Sequence, residues 1–286
     1  MQIALLPSQG QVLITGAKGS ATIAAMLYVI SPAKSLDYDT PTPAEVGALS
    51  APPHFIPQAA ALIELLKTRS QADIAGMMDI SDALASLNLA RYAAWSPRFT
   101  DENSKPAVLA FNGDVYDGLQ AATLSLADLQ WAQQHLAILS GLYGVLRPLD
   151  RLQPYRLEMG TALANPKGKN LYAYWGDAIA DHLNERSIQL QTPVIVNLAS
   201  QEYFKAAARP ALKPRVIECQ FEDWKGGRYK IISFFAKRAR GLMARYAIQN
   251  HIQTPAALQD FAADGYAYAS EVSTPDRLVF RRRLVD

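Results

Sequence analysis

Residues 230–250 have the sequence KIISFFAKRARGLMARYAIQN, and we expect the rest of the chain to be organised around this stretch. At 100° per residue, apolar and charged side chains separate to opposite sides of a helix. The apolar side carries Phe235, Ala239, Leu242, Met243 and Tyr246. The opposite side carries four cations, Lys237, Arg238, Arg240 and Arg245. The pattern predicts an amphipathic helix that packs on its apolar side and presents a basic side.

Gly241 lies in the middle of the basic side. A glycine inside a helix is less favourable than alanine by about 1 kcal/mol, which suggests that the missing side chain has a use. A gap between four cations would let a backbone phosphate approach the helix closely. The alternative is a solvated basic face with an incidental glycine, and the helix alone does not separate the two interpretations.

The charge of the 286-residue chain is unevenly distributed, although its net value is only +2. Residues 205–245 contain eleven Lys or Arg against three acidic residues, a net charge of +8. A second basic cluster, Arg277 with Arg281, Arg282 and Arg283, lies near the end of the chain. Such local excess of positive charge favours a polyanionic partner.

Cys219 is the only cysteine, so the chain has no internal disulfide, and we expect a reducing, cytoplasmic location. It lies in an alternating stretch typical of a strand, which favours a buried, inert thiol. A redox sensor is the alternative, because nearby Lys and Arg side chains could lower the pKa of the thiol. The sequence has no run of 18 apolar residues, and we therefore expect no membrane partner.

The chain divides into two regions whose sequence patterns differ. Residues 1–25 precede a compact apolar run that begins at Met26, and we predict that they form a disordered N-terminal extension. Residues 26–286 alternate between strand-like and helical patterns without repeats or a long linker, which predicts a single α/β domain with a mixed β-sheet flanked by helices. Predicted strands are 27–30, 105–110, 194–198, 215–221 and 229–234, with edge strands at 266–270 and 277–281. Predicted helices include 71–78, 81–95, 126–135 and 171–183.

Three polar loops follow predicted strands, near residues 31, 113 and 141. In an open α/β sheet, ligands bind at such strand ends, so we expect the loops to converge on a cleft. Tyr116 and Tyr155 would supply stacking faces there, and Lys34 and Arg147 would contact phosphates. The remaining expected lining residues are Asp114, Tyr143, Arg156 and Glu158. The alternative is that the glycines make tight turns and the polar residues cap them.

Asp114 and Glu158 are candidates for a general acid–base pair, provided that the fold brings their loops together. Other chemical signatures are missing from the sequence. The four histidines have no metal-ligand spacing, and the chain has no P-loop, no Gly-x-Gly-x-x-Gly and no Gly-x-Ser-x-Gly motif. We therefore predict neither a metal site nor a cofactor.

Six stretches resemble the YaaA peroxide-stress family and occur in that family's order. They are ISPAKSLD at 30–37, FNGDVYDGL at 111–119, LSGLYGVLRPLD at 139–150, PYRLEMG at 154–160, NLASQEYFK at 197–205 and AKRARG at 236–241. The resemblance implies a YaaA-type fold and a cytoplasmic bacterial protein that protects against hydrogen peroxide by limiting free intracellular iron, and so Fenton damage to DNA.

The resemblance also implies DNA binding through a positively charged groove and a helix-hairpin-helix-like element. This sequence has no clear apolar-Gly-apolar-Gly hairpin. The nearest candidates are Gly141-Leu-Tyr-Gly144 and the helix pair at 71–95, whose turn at 79–81 lacks glycine.

Two main hypotheses follow. The first is sequence-independent binding of double-stranded DNA, with phosphate contacts from Lys34, Arg147, Arg156, Lys205, Lys237, Arg238, Arg240 and Arg245 around Gly241. Five contacts from Lys205 and the basic helix would give a log-log salt slope of about −4 to −5. The second is an enzyme acting on a nucleotide, a nucleobase or damaged DNA in the cleft, with Asp114 and Glu158 as catalytic candidates. A direct iron chelator is a third hypothesis, and the scattered ligands argue against it.

Overall fold

The computed structural model describes residues 25–283, and a sheet of eight strands runs through it. The extension predicted for 1–25 lies outside the described residues except for Ala25. Strands of the main sheet are β1 (Leu27–Ile30), β5 (Leu136–Ser140), β6 (Gly144–Leu146), β8 (Val194–Leu198), β9 (Arg215–Trp224), β10 (Tyr229–Lys230), β11 (Ala267–Tyr268) and β12 (Arg277–Arg282). Two small pairs are β2 (Ser35–Leu36) with β4 (Phe111–Asn112), and β3 (Lys105–Pro106) with β7 (Arg151–Leu152).

Helices connect and cover these strands. They are α1 (Ala44–Gly47), α2 (Ile56–Lys67), α3 (Gln71–Met78), α4 (Asp82–Ala94), α5 (Ala107–Ala110), α6 (Asp114–Leu119), α7 (Leu126–His135), α8 (Leu171–Trp175), α9 (Ala178–Gln189), α10 (Gln201–Phe204), α11 (Ser233–Gln249) and α12 (Pro255–Leu258). Local sequence explains several boundaries, since Ser70, Ser81 and Ser125 each accept a backbone hydrogen bond as N-caps.

The strand order β11-β12-β9-β8-β1-β5-β6 makes the sheet mixed, as predicted. The five central strands are parallel, whereas β11 and β6 are antiparallel to their neighbours at the two edges. Ile30 aligns with Ile138 of β5 and with Leu198 of β8. The carboxyl ends of β1, β5 and β8 therefore meet at one edge of the sheet, where the loops that follow them are brought together.

Strand β1 is buried on both faces. Leu27 and Val29 are fully buried, and so is Tyr28, whose hydroxyl donates to the carbonyl of Ile252 just after α11. Such a continuous apolar run is typical of a parallel strand covered by helices on both sides. The strand predicted at 27–30 is confirmed.

The basic helix is confirmed as α11, but its buried side differs from the prediction. Phe235, Leu242 and Tyr246 are only partly buried. The fully covered positions are mostly small: Ala236, Ala239, Gly241, Met243, Ala244, Ala247 and Ile248. The prediction from periodicity relied on the large apolar side chains. In the structure, small residues of α11 allow neighbouring elements to approach the helix axis on two sides.

Gly241 meets α6 rather than solvent. A Cβ on Gly241 would overlap the carbonyl oxygen of Val115, and a Cβ on Gly118 would overlap that of Arg238. These two glycines let the backbones of α6 and α11 come into direct contact. The contact fixes the amino end of α6, which carries Asp114, beside the basic helix.

Four other predicted elements were wrong in part. The predicted strand 105–110 is a strand only at Lys105–Pro106 and continues as α5, because a short apolar run fits either structure. The helix predicted at 171–183 breaks at Gly176, which has a left-handed φ of 52°. The strand predicted at 229–234 ends at Lys230, since α11 begins at Ser233. The segment at 277–281 is not an edge strand, because β12 lies between β9 and β11.

Candidate functional site

A cavity of about 370 Å³ opens at the carboxyl edge of the sheet. The loops after β1 and β4, the loop after β8 and one side of α11 form its walls. The charged side chains that line it are Lys34, Asp114, Glu158, Glu202, Lys237 and Arg240. Two of the three predicted loops, near residues 31 and 113, therefore meet at one cavity, whereas the loop near 141 does not line it.

Hydrogen bonds between the loops hold the cavity floor. The Ser31 hydroxyl accepts a bond of 2.9 Å from the Ser200 amide, which ties the loop after β1 to the loop after β8. The buried Tyr116 hydroxyl donates to the Ser31 carbonyl at 3.1 Å. Burial raises the pKa of Tyr116 well above its usual range, so the phenol stays protonated and remains a donor. The floor is thus set by groups more than 80 residues apart in sequence.

Glu158 lies between two cations. Arg156 donates to its Oε1 from Nε at 3.1 Å and from Nη2 at 2.9 Å, and the Lys34 ammonium lies 3.3 Å from the same oxygen. Arg156 is largely buried, whereas the Lys34 side chain is 67% exposed at the cavity mouth. This arrangement can orient Lys34 toward an anion, while Arg156 is occupied by the carboxylate.

Lys237 and Arg240 supply the unpaired positive charge of the site. Within residues 25–283, neither forms an ion pair, and both line the cavity. Arg240 is partly buried, and this burial lowers the pKa of its guanidinium from the ordinary value, although arginine stays charged at neutral pH. Glu218 acts on this guanidinium only through the longer-range attraction of its charge, and a partly desolvated guanidinium without a direct ion pair favours binding of an anion.

Asp114 occupies the first position of α6, directly after Gly113, and lines the same cavity. It forms no ion pair with any other described residue. Asp114 and Glu158, the two predicted catalytic candidates, therefore share one cavity with Lys34. Sequence alone could not show this convergence.

Comparison with known proteins identifies the family. A sequence profile described as "Peroxide stress protein YaaA" matches residues 26–272. The chain belongs to the peroxide stress protein YaaA family. The α/β fold with a mixed sheet is the fold expected from the resemblance.

Relatives match over nearly the whole chain. A UPF0246 protein of Leptothrix cholodnii is 66% identical over 261 residues, covering 91% of this chain and all of the relative. A UPF0246 protein of Paracidovorax citrulli is 63% identical over 258 residues, covering 90% of this chain and 99% of the relative. A UPF0246 protein of Bordetella petrii is 61% identical over 258 residues, covering 90% of this chain and 100% of the relative.

Five of the six stretches that resemble the YaaA family supply residues to the cavity. Lys34, Asp114, Glu158, Ser200 and Lys237 are examples, each from a different stretch. The sixth, at 139–150, supports the site from behind, because Gly141 packs against the backbone of Leu157 and Glu158. The loop at 141 therefore positions Glu158 and does not line the cavity.

Gly241 is not open to a phosphate, contrary to the first interpretation of the sequence. It is buried, and the Val115 carbonyl occupies the space in front of it. Arg245 is also internal to the fold: its Nη1 donates to the carbonyls of Leu119 and Gln120 and to the Thr123 hydroxyl. It caps the carboxyl end of α6.

Arg238 is partly engaged as well. Its Nε lies 3.2 Å from Asp264, and its Nη1 donates to the Asp117 carbonyl at 3.3 Å. Of the basic side predicted for the helix, only Lys237 and Arg240 thus face the cavity without a partner among residues 25–283. Arg238 and Arg245 were predicted to contact phosphates because the sequence does not show that α6 lies against them.

Arg147 is not part of the cleft. It follows β6, which runs antiparallel to β5 and carries the chain away from the carboxyl edge. Its Nε is 3.0 Å from Asp150. Lys205, by contrast, is exposed just after α10, 4.9 Å from the centre of the Tyr172 ring and three residues from Glu202 of the cavity.

Tyr116 and Tyr155, predicted as stacking faces, and Tyr143, predicted to line the cleft, are interior. Tyr116, Tyr143 and Tyr155 are all buried, and burial raises the pKa of each phenol. The Tyr155 hydroxyl is bonded to Ser140 and the Tyr143 hydroxyl to Trp95. They form the core beneath the site, so none offers a ring face to a ligand.

Neither hairpin candidate forms a basic helix-hairpin-helix. Gly141 and Gly144 lie at the turn between antiparallel β5 and β6. Helices α3 and α4 are joined by a short turn in which Asp79 has a left-handed φ of 51°. The turn contains Asp79 and is followed directly by Asp82, and these carboxylates would repel a phosphate.

Two general properties concern the described part of the chain. Residues 25–283 hold no group of three or more His, Cys, Asp or Glu side chains that could bind a metal ion. No helix within that range is long and apolar enough to cross a membrane. Cys219 is buried on β9, and burial raises the pKa of its thiol to about 12, which confirms the inert interpretation.

One wall of the site was missed from the sequence, and so was an exposed aromatic side chain outside the cavity. Ser200, Glu202 and Tyr203 form that wall and lie within the stretch 197–205 that resembles the family, yet no argument from the sequence placed them in the cleft. Phe234, at the start of α11, is an exposed aromatic side chain that no sequence argument singled out. Phe235 and Lys237 could have drawn attention to Phe234, since two aromatic side chains and a basic one fall within four residues there.

Proposed function

We propose that this member of the YaaA family binds double-stranded DNA in the cytoplasm, through the phosphate backbone, as part of its role in peroxide stress. The observation that carries the proposal is the pair of unpaired cations, Lys237 and Arg240, facing a cavity at the sheet edge. Exposed Lys205 extends the positive surface beyond Glu202. Phosphate contacts of this kind position a protein on DNA and carry no sequence information.

Lower Fenton damage to DNA is the proposed consequence of this binding; the limitation of free iron that the resemblance implies would be a separate, indirect effect, and no direct chelation is proposed. Protein lying on DNA phosphates displaces their condensed counter-ions. Iron held at those phosphates would be displaced in the same way, and Fenton chemistry at the DNA would fall. Buried Cys219, with its raised thiol pKa, offers no route for direct reaction with peroxide.

The test is titration of fluorescent duplex DNA followed by anisotropy at several salt concentrations. Lys205, Lys237 and Arg240 would give a log-log slope of about −3, at about −0.9 per contact. This is shallower than the slope predicted from the sequence, because Arg238 and Arg245 are engaged within the fold. Lys237→Glu should weaken binding of all duplex sequences alike and make the slope shallower by about 1.

Lys213→Glu is the matched control. Lys213 is exposed at the opposite edge of the sheet, just before β9, so the same charge change should leave cleft binding nearly intact. Equal losses in Lys237→Glu and Lys213→Glu would mean that only net charge matters. No duplex binding by the wild-type protein at low salt would refute the proposal.

A second candidate function is catalysis on a nucleotide, a nucleobase or damaged DNA. Asp114, without an ion-pair partner in the described residues, shares the cavity with the Lys34–Glu158 pair, and phosphate binding alone needs no carboxylates. In this second proposal Asp114 acts as the general base and Glu158 orients Lys34.

The isosteric variants Asp114→Asn and Glu158→Gln separate catalysis from binding. If the cavity is catalytic, both should retain duplex affinity and fail to restore peroxide resistance to a deletion strain. Full resistance with both variants would count against the enzyme. Loss of binding and resistance together would return these carboxylates to a role in shaping the binding site.

A further inference from the structure

Two large apolar side chains are exposed just before and at the start of α11, the helix that forms one wall of the cavity. Phe234 is 55% exposed and Ile231 is 52% exposed, at the junction where β10 leads into α11. Large apolar side chains left open next to each other are costly unless a partner covers them. We call this pair the apolar ledge.

Phe234 of the apolar ledge lies on α11, the helix that supplies Lys237 and Arg240 to the cavity. Phe234 precedes Lys237 by three residues on α11, so the two side chains are neighbours on one face of the helix, about 4.5 Å apart along its axis. Lys237 lines the cavity wall. A strand whose phosphates contact Lys237 and Arg240 would therefore bring its next bases to the Phe234 ring.

A rigid cluster supports the ring of Phe234. Its centre lies 4.1 Å from that of Phe235, and the Arg282 guanidinium lies 4.6 Å from the Phe235 ring centre. Arg282 is in turn fixed by Asp223, at 2.6 Å. The ledge is thus a preformed surface, which lowers the entropic cost of stacking a ligand on it.

The surroundings of the apolar ledge favour a polyanion over an apolar protein partner. The β9–β10 hairpin leading to it carries Lys225, Arg228 and Lys230, none of which forms an ion pair within residues 25–283. Exposed rings flanked by cations are how proteins bind single-stranded nucleic acid. A duplex keeps its bases stacked internally and would leave the ledge uncovered.

We infer that the apolar ledge stacks unpaired bases, so that the protein prefers DNA in which a duplex adjoins a single-stranded segment. The inference rests on the proposed function, because the cavity cations would hold the adjoining phosphates. Phe234 would supply the stacking face that Tyr116 and Tyr155, being buried, cannot supply.

The experiment compares a blunt duplex with the same duplex carrying a single-stranded gap that contains 2-aminopurine. The wild-type protein should bind the gapped DNA about tenfold more tightly, the effect of roughly one base stacked on an aromatic ring. Stacking should also change the 2-aminopurine fluorescence. Phe234→Ala should remove the preference and the fluorescence change but leave blunt-duplex affinity within about twofold, whereas Phe234→Trp should keep both.

Ile188→Ala is the matched control, since Ile188 is 76% exposed near the carboxyl end of α9, away from the cavity. It should behave as the wild type. Equal wild-type affinity for the two DNAs would overturn the inference and leave the proposed function standing, whereas binding of neither would refute both. Wild-type self-association abolished by Phe234→Ala would also overturn the inference, by showing that the ledge is a protein contact.

Discussion

At the scale of single residues, the cations of α11 differ in what surrounds their charged groups. Arg245 has three hydrogen-bond acceptors around its Nη1, and Arg238 has Asp264 and a carbonyl. Arg240, two residues from Arg238, faces a cavity. One residue type on one helix thus serves as a cap, an ion-pair partner or a cation that lines a cavity, depending on the element opposite.

His182 is the residue that should govern acid stability. Its ring is largely buried against His54, at 4.4 Å, and against Phe55. Burial, followed by His54, Arg186 and Arg147, lowers its pKa from 6.5 to about 3. In the unfolded chain His182 binds a proton near pH 6.5, whereas in the folded protein it binds one only near pH 3. Stability therefore falls as pH decreases between these values.

The expected loss is about 1.4 kcal/mol per pH unit, or about 2 kcal/mol between pH 6.5 and pH 5. His182→Phe, which keeps an aromatic ring, should remove most of this loss in urea unfolding followed by tryptophan fluorescence. His251→Asn changes an exposed histidine with a left-handed φ of 47°, which Asn tolerates, and should keep the wild-type dependence. An unchanged profile in His182→Phe would exclude His182 as the cause.

At the scale of elements, the contact between α6 and α11 determines the site. Gly118 and Gly241 have no side chain that would separate the two helices. Each faces backbone carbonyl and amide groups of the opposite helix. The same contact places Asp114 at the cavity and gives Arg245 the carbonyls that it caps. Gly241, which the sequence suggested as a point of close phosphate approach, instead allows the two helices to pack closely.

Gly241→Ala should destabilise the protein, although alanine is the better helix former by about 1 kcal/mol. The added Cβ would overlap the Val115 carbonyl, and overpacking of this kind typically costs about 1–3 kcal/mol or more. Gly76→Ala in α3 is the control, because a Cβ there meets nothing within 4 Å. Urea unfolding should show Gly76→Ala as neutral or stabilising, and a stabilised Gly241→Ala would show that α6 can move away.

At the scale of the whole molecule, the topology collects charge that is dispersed along the chain. The parallel strands β1, β5 and β8 end at one edge, so loops that begin near residues 31, 141 and 199 come together there. The reversal at β6 removes Arg147 from that edge. The +8 charge of residues 205–245 is therefore only partly available to a ligand, because several of its cations have partners inside the fold.

The sequence by itself determined the features that depend on neighbouring residues. The buried strand at 27–30, the capped helices at 71–78, 82–94 and 126–135, and the helix within 230–250 all follow from periodicity and capping. The family followed from motif order, and a mixed α/β sheet from the alternation of elements. Of the candidate site residues, Lys34, Asp114, Glu158, Lys237 and Arg240 do meet at one cavity.

Only the tertiary structure decided which of these charges face a ligand. Arg245 and Thr123 are 122 residues apart in sequence, and Arg238 and Asp117 are 121 apart, so no local pattern reveals that they are partners. Likewise, Tyr116 and Tyr155 are buried, whereas Phe234 stays open. Helical periodicity fixes the direction of a side chain on its own helix, but the exposure and partners of that side chain depend on what the rest of the fold places in front of it.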